Sequence, residues 1–231
     1  PLSVNDGGPL SGTAGATLDP IVSLRQRLEI PKDGTVRLVF TTLVASSRKE
    51  ALEIAEKYRQ PTTFERESSL AWTQAQVQLH HLRISQDEAH LFQRLANRLL
   101  YTDPTLRAAP QVLAANRSGA SGLWPYAISG DLPIAMIRIE RDEERDLVRQ
   151  LLRAREYWQL KGISADLVIL NASGPSYAQG FQESLEVMVR ASHAAGDVQL
   201  KERGAVFLLR TDLVPARDQA LLSATSRVVL L

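Results

Sequence analysis

Four short, nearly unbroken apolar runs, at residues 134–139, 166–170, 205–210 and 228–231, alternate with stretches of helical spacing in the C-terminal part of this sequence. A strand with one wet face alternates apolar and polar residues, whereas a strand covered on both faces reads as a continuous apolar run. Helices between such strands supply the crossovers that parallel pairing requires. The spacing therefore predicts a small parallel α/β unit over residues 134–231. Within it, Leu147, Val148, Leu151, Leu152 and Trp158 make one face of a helix over residues 143–161. Glu143, Glu144 and Asp146 favour its N-terminal dipole, and Gly162 is placed to end it. Phe181, Leu185 and Met188 mark a second helix over residues 176–194.

Upstream the periods differ. Residues 21–30 and 36–42, rich in β-branched and apolar side chains, flank Pro31-Lys32-Asp33-Gly34 and predict a β-hairpin. Two strands alone are marginal in water, so this hairpin calls for partner strands. From residue 46 to 117 the spacing is helical. Ser46 or Ser47 is positioned to cap a helix through Tyr58, and Thr62 or Thr63 to cap the next, with Phe64, Ala71, Ala75, Leu79 and Leu82 as a single apolar stripe. Ser85 with Glu88 fits a capping box, and Asp103-Pro104 an N-cap followed by Pro at the first helical position. Gly119, Gly122, Pro125, Gly130 and Pro133 predict a loop without a regular element over residues 118–133. The expected fold class is mixed α+β, with strands over 1–45, linker helices over 46–117, the loop over 118–133 and the α/β unit over 134–231.

Composition narrows the chemistry. With 27 Lys and Arg against 26 Asp and Glu, the net charge is +1, without the basic excess that holds a phosphate backbone, so nucleic acid is not an expected partner. The absence of cysteine removes disulfides, thiolate nucleophiles and cysteine-ligated metals, and fits a reducing compartment. No apolar run approaches the roughly 20 residues that span a bilayer. The sequence starts at Pro1 and stops inside the apolar run Val228-Val229-Leu230-Leu231, so it reads as a piece of a longer protein.

His80, His81, His90 and His193 show no metal-binding spacing, and no metal site is expected. Ser121 and Ser129 have glycine neighbours without the Gly-x-Ser-x-Gly spacing of a nucleophile elbow. The strand ending at Ile139 runs into Glu140-Arg141-Asp142-Glu143, without the glycines of a dinucleotide site. Residues 171–176, Asn-Ala-Ser-Gly-Pro-Ser, are either an anion-binding loop at a helix start or simply a tight turn. In the loop at 118–133, Trp124, Tyr126, Ser129 and Asp131 lie among glycines. Aromatic rings that stack on sugar faces beside a carboxylate and a hydroxyl suit a carbohydrate subsite. The same residues also suit a packing plug, with Asp131 fastening a turn. Hydrolysis by facing carboxylates would need a second acid opposite Asp131, and no obvious one is present.

Several blocks taken in order carry a resemblance. They are Leu10-Ser11-Gly12-Thr13, Leu18-Asp19-Pro20, Ser23-Leu24-Arg25, Ala71-Trp72-Thr73-Gln74-Ala75-Gln76, Glu88-Ala89-His90-Leu91-Phe92-Gln93-Arg94-Leu95-Ala96, Leu123-Trp124-Pro125-Tyr126-Ala127-Ile128-Ser129-Gly130-Asp131-Leu132-Pro133-Ile134 and Asp166-Leu167-Val168-Ile169-Leu170-Asn171. Together they resemble the cyclic β-1,2-glucan synthases and, more broadly, glycoside hydrolase family 94, whose members include inverting phosphorylases. Ala127 stands where the family pattern has Gly, and Ala172 where it has an acidic residue. The resemblance implies that the first strands end a β-sandwich, that the helical block is a linker, and that an (α/α)6 barrel holding the catalytic acid lies outside these residues. It implies no catalytic residue and no cofactor here, inorganic phosphate and UDP-glucose being used by the parent enzyme. The implied partners are the rest of the same polypeptide and a β-1,2-glucan chain, on the cytoplasmic side of the inner membrane. The alternative from a different class is a stand-alone α/β binding or scaffold module.

Overall fold

The computed structural model describes residues 8–10, 12, 15, 16, 22–101, 103–174, 178–195 and 204–231. The expected strand start at Ile21, the expected helix start near Ser176 and the end of the loop at 171–176 lie outside them. The chain divides into two units, Pro1–Ser68 and Ser69–Leu231.

In the first unit the reverse turn forms as read: the Gly34 N–H donates to the Pro31 carbonyl at 2.9 Å, and Asp33 is left-handed at φ 60°. The arms at 22–30 and 36–42 differ from the expected paired strands, because no ladder joins them and Val22, Leu24, Ile30 and Phe40 are exposed. An isolated strand pair does not offset its ordering entropy without further strands or a covering layer. Helix α1 (Arg48–Lys57) is capped by Ser47, whose hydroxyl accepts from the Glu50 N–H at 3.2 Å. Helix α2 (Pro61–Leu82) starts at Pro61, ahead of the threonines expected to cap it, since the fixed φ of proline suits a first helical position.

The division between units falls within α2, whose C-terminal part belongs to the second. There Leu79 and Leu82 pack against the core. The stripe read from Phe64 onward is therefore partly buried only from Ala75 on, Phe64 and Ala71 being exposed. Helix α3 (Gln86–Leu100) opens with the reciprocal capping box, the Glu88 N–H donating to Ser85 Oγ at 3.1 Å and the Ser85 N–H to Glu88 Oε2 at 2.9 Å. After Asp103 the chain makes a single 3-10 turn, Pro104–Leu106, rather than the helix expected. The helical course resumes as α4 (Pro110–Ala115), with Pro110 at its first position, where a missing N–H costs no hydrogen bond.

The four apolar runs form strands β1 (Ile134–Ile139), β2 (Asp166–Asn171), β3 (Val206–Arg210) and β4 (Val228–Leu230). They make one parallel sheet in the order β3-β2-β1-β4. Between them run α5 (Arg145–Leu160), α6 (Ala178–Ala195) and α7 (Ala216–Thr225). The order reverses at β1: β2 and β3 are added on one side of it and β4 on the other, so the crossover through α7 lies on the opposite face. Accordingly Ala135, Ile137 and Ile139 of β1 pack with α3, α5 and α6. Ile134 and Met136 pack with Leu221 and Leu222 of α7 and with Leu123 and Ile128 of the loop. Helix α5 closes as a Schellman motif, the Ile163 N–H donating to the Trp158 carbonyl at 2.9 Å and the Gly162 N–H to the Gln159 carbonyl at 3.0 Å.

A buried polar latch aligns β3 with β2. Asp166 accepts from the Ala205 N–H at 2.9 Å, and Arg155 Nη2 donates to the Gly204 carbonyl at 2.6 Å. Burial pushes the Asp166 carboxyl up and the Arg155 guanidinium down from their ordinary values, each partly offset by the other's charge. Gly204 is left-handed at φ 97°, and a Cβ there would overlap the Ala165 carbonyl, so only glycine fits the entrance to β3.

Candidate functional site

The loop at 118–133 is built on a 3-10 turn, Ala120–Tyr126, where the sequence reading expected no regular element. Pro125 sits inside it, tolerated because so short a turn loses few hydrogen bonds to it. In a 3-10 turn residues three apart share a face. Leu123 is therefore buried at 1% exposure with Tyr126 beside it against the same core, while Trp124 turns outward at 64% exposure. Gly122 lets the loop seat on α7, since a Cβ there would lie 2.6 Å from the Leu221 side chain.

The four singled-out residues do not form one cluster. The Trp124 indole Nε1 donates to the Ser129 carbonyl at 3.3 Å, and the Asp131 N–H donates to Ser129 Oγ at 3.2 Å. These three are chained along one outward-facing ridge, all exposed. The Tyr126 hydroxyl instead donates to Asp218 Oδ2 on α7 at 2.8 Å, and burial, then this bond, raises the phenol above its ordinary value. Asp218 is buried and also accepts from Arg217 Nε at 3.2 Å. Asp131 lines a half-open cavity of about 380 Å³ with Arg107, Leu123, Thr225 and Arg227; Trp124 is not part of its lining. Both arginines there are engaged, Arg107 Nη2 with the Ala224 carbonyl at 2.9 Å and Arg227 Nη1 with the Leu100 carbonyl at 2.9 Å.

The carboxyl ends of β1 and β4, where the strand order reverses, are where open α/β sheets place ligands. Here that crevice is lined by Arg138, Glu140, Arg141, Glu144 and Leu231. Its charges are paired, Arg138 with Glu140 at 3.1 Å and Arg141 with Glu144 at 3.4 Å. Glu144 accepts the Glu140 N–H at 2.7 Å and the Arg141 N–H at 3.1 Å. These backbone bonds, the Glu140 one foremost, hold its carboxyl below the ordinary range despite partial burial. A general acid needs the reverse, a carboxyl kept protonated near neutrality. The loop after β2 makes an Asx turn, the Ser173 N–H donating to Asn171 Oδ1 at 3.0 Å. Among the described residues no three metal-ligating side chains converge, and no helix is long and apolar enough to cross a membrane.

Asp218, Arg107 and Arg227 were not singled out from the sequence, and Glu144 was named only for its place in the first turns of a helix. Glu144, three residues after Arg141 and at a helix start, carried a capping signal; the others are placed only by tertiary contacts.

Comparison with known proteins adds two findings. Residues 1–61 match the family model described as glycosyl hydrolase 94, supersandwich domain. Over 223 residues, 96% of this chain, the sequence is 40% identical to the cyclic beta-(1,2)-glucan synthase NdvB of Rhizobium meliloti (strain 1021), of which it spans 8%.

Proposed function

The chain is related to the cyclic β-(1,2)-glucan synthases, and on that premise we propose that it is a non-catalytic, architectural segment of a glucan-processing enzyme that offers a sugar-contacting ridge. The observation that carries the reading is how the acids are employed. In the crevice at the strand-order reversal, Glu144 is held ionised by two backbone N–H groups. Burial raises the Asp166 carboxyl, yet this side chain is enclosed between β2 and β3 and spent on the Ala205 N–H. Phosphorolysis with inversion needs one accessible protonated carboxyl at the glycosidic oxygen, which this reading assigns to another part of the polypeptide. Inorganic phosphate and UDP-glucose belong, in the same reading, to that whole enzyme on the cytoplasmic side of the membrane, and the segment's first partner is the remainder of its own polypeptide.

For the glucan, the support is a rigid aromatic ridge. Tyr126 pins the loop to α7 through Asp218, Leu123 fills the core beneath, and Trp124 stands outward with its indole N–H fixed on Ser129. Such a ring pays little conformational entropy when a sugar face stacks on it. Asp131 and the Ser129 hydroxyl lie two and zero residues from that anchor and supply acceptors for sugar hydroxyls. Titration of the chain with β-1,2-linked glucooligosaccharides, followed by tryptophan fluorescence and calorimetry, tests this. Weak binding that Trp124→Ala abolishes and Leu213→Ala leaves intact is expected; equal binding by wild type and Trp124→Ala, or none by wild type, overturns the ridge.

A further inference from the structure

The cavity that Asp131 lines lies at the amino ends of the strands, where Ile134 opens β1 and Arg227 precedes β4, at the other end of the sheet from the crevice. Its charged lining is Asp131, Arg107 and Arg227. Each arginine spends one terminal nitrogen on a helix end. Arg107 Nη2 donates to the Ala224 carbonyl of α7, and Arg227 Nη1 to the Leu99 and Leu100 carbonyls of α3 at 3.2 and 2.9 Å. A guanidinium carries more donors than that. Nε and Nη1 of Arg107, and Nε and Nη2 of Arg227, have no partner among the described residues. Neither arginine is ion-paired with Asp131, whose carboxylate accepts no hydrogen bond among the described residues. One carboxylate and two guanidinium groups therefore line a half-open space of about 380 Å³ without neutralising one another.

The set fits an occupant that donates and accepts at once. A free anion would be brought against Asp131, and a free cation against the two arginines. A neutral polyol places hydroxyl hydrogens on the carboxylate and hydroxyl oxygens on the guanidinium N–H groups. Leu132 and Pro133, also in the lining, offer apolar surface to the C–H face of a ring. The volume falls within the range of about 300–1,000 Å³ usual for small-molecule sites. We propose that this cavity is a glycosyl subsite, taking one unit of a β-linked glucan whose neighbouring unit stacks on Trp124. The inference rests on the preceding reading of the loop as a glucan ridge, and it adds the residues that select hydroxyl groups. One short strap joins the two places. The Ser129 carbonyl accepts the Trp124 indole N–H, its hydroxyl accepts the Asp131 N–H, and Asp131 lines the cavity.

The test is calorimetric titration of the chain with β-1,2-linked glucotriose, comparing wild type with Arg107→Gln, Ala224→Met and Trp124→Ala. Arg107→Gln removes guanidinium donors, and Ala224→Met fills the cavity from a wall position while leaving its charges and the ridge in place. Both are expected to weaken binding by about tenfold, the loss of one charge-assisted hydrogen bond. Because Arg107 also fastens the end of α7, the filling variant decides the matter if Arg107→Gln melts early. Binding that Trp124→Ala weakens and Ala224→Met leaves unchanged overturns the subsite, while the ridge stands. Binding that Ala224→Met abolishes and Trp124→Ala leaves unchanged keeps the cavity as the sugar site and removes the ridge. No binding by wild type overturns both. Inorganic phosphate is the second probe: binding of phosphate that displaces glucotriose and tightens in Asp131→Asn would make the arginines an anion site and overturn the polyol assignment.

Discussion

Ala127 sits at φ 60° at the end of the turn that carries Trp124, in a conformation where a Cβ is unfavourable. It is also the position where the family pattern has glycine, so the departure visible in the sequence has a conformational cost in the fold. Ala127→Gly should raise stability by about 1 kcal/mol, measured by urea denaturation; an unchanged or lowered midpoint contradicts the assignment. Glu144 gives a second test. Its carboxyl value lies below that of the unfolded chain, so the stability it contributes is present above the unfolded value and is lost as pH falls through the lowered folded one. Wild type should therefore melt higher than Glu144→Gln at neutral pH, and the gap should close on acidification. A gap that is constant with pH would show that the ionised form is not what the backbone N–H groups hold.

At the scale of elements, the legible features were those decided by near neighbours in sequence. The capping box of α3 needs only Ser85 and Glu88, and both of its hydrogen bonds form. Ser85→Ala should cost about 1 kcal/mol, read as a drop in melting temperature; no loss would mean that the Arg153 pairing with Glu88 and the buried face hold this helix end unaided. The four strands were equally plain, because a strand covered on both faces leaves a continuous apolar run. What failed to show was decided at a distance. The arms beside Pro31-Lys32-Asp33-Gly34 have strand composition, yet pairing depends on a layer that local sequence does not encode, and only the turn appears. The 3-10 segment at Ala120–Tyr126 was hidden by Gly122 and Pro125, which rule out a long helix but not a short 3-10 segment. In the candidate site, Trp124, Ser129 and Asp131 were visible as a loop cluster; the departure of Tyr126 toward Asp218, 92 residues away, was not.

For the molecule as a whole, the central claim is that this segment shapes a glucan-processing enzyme and leaves bond cleavage to another part of it. Glu144 and Asp166 are engaged in fastening a helix start and a strand, and the outward tryptophan is set for contact. The most direct measurement is release of glucose 1-phosphate from β-1,2-linked glucooligosaccharides and inorganic phosphate by the purified 231-residue chain, alongside the whole polypeptide. The account predicts release by the whole polypeptide and none above background by the chain. Turnover by the chain alone, removed by Glu144→Gln or Asp131→Asn, would contradict it.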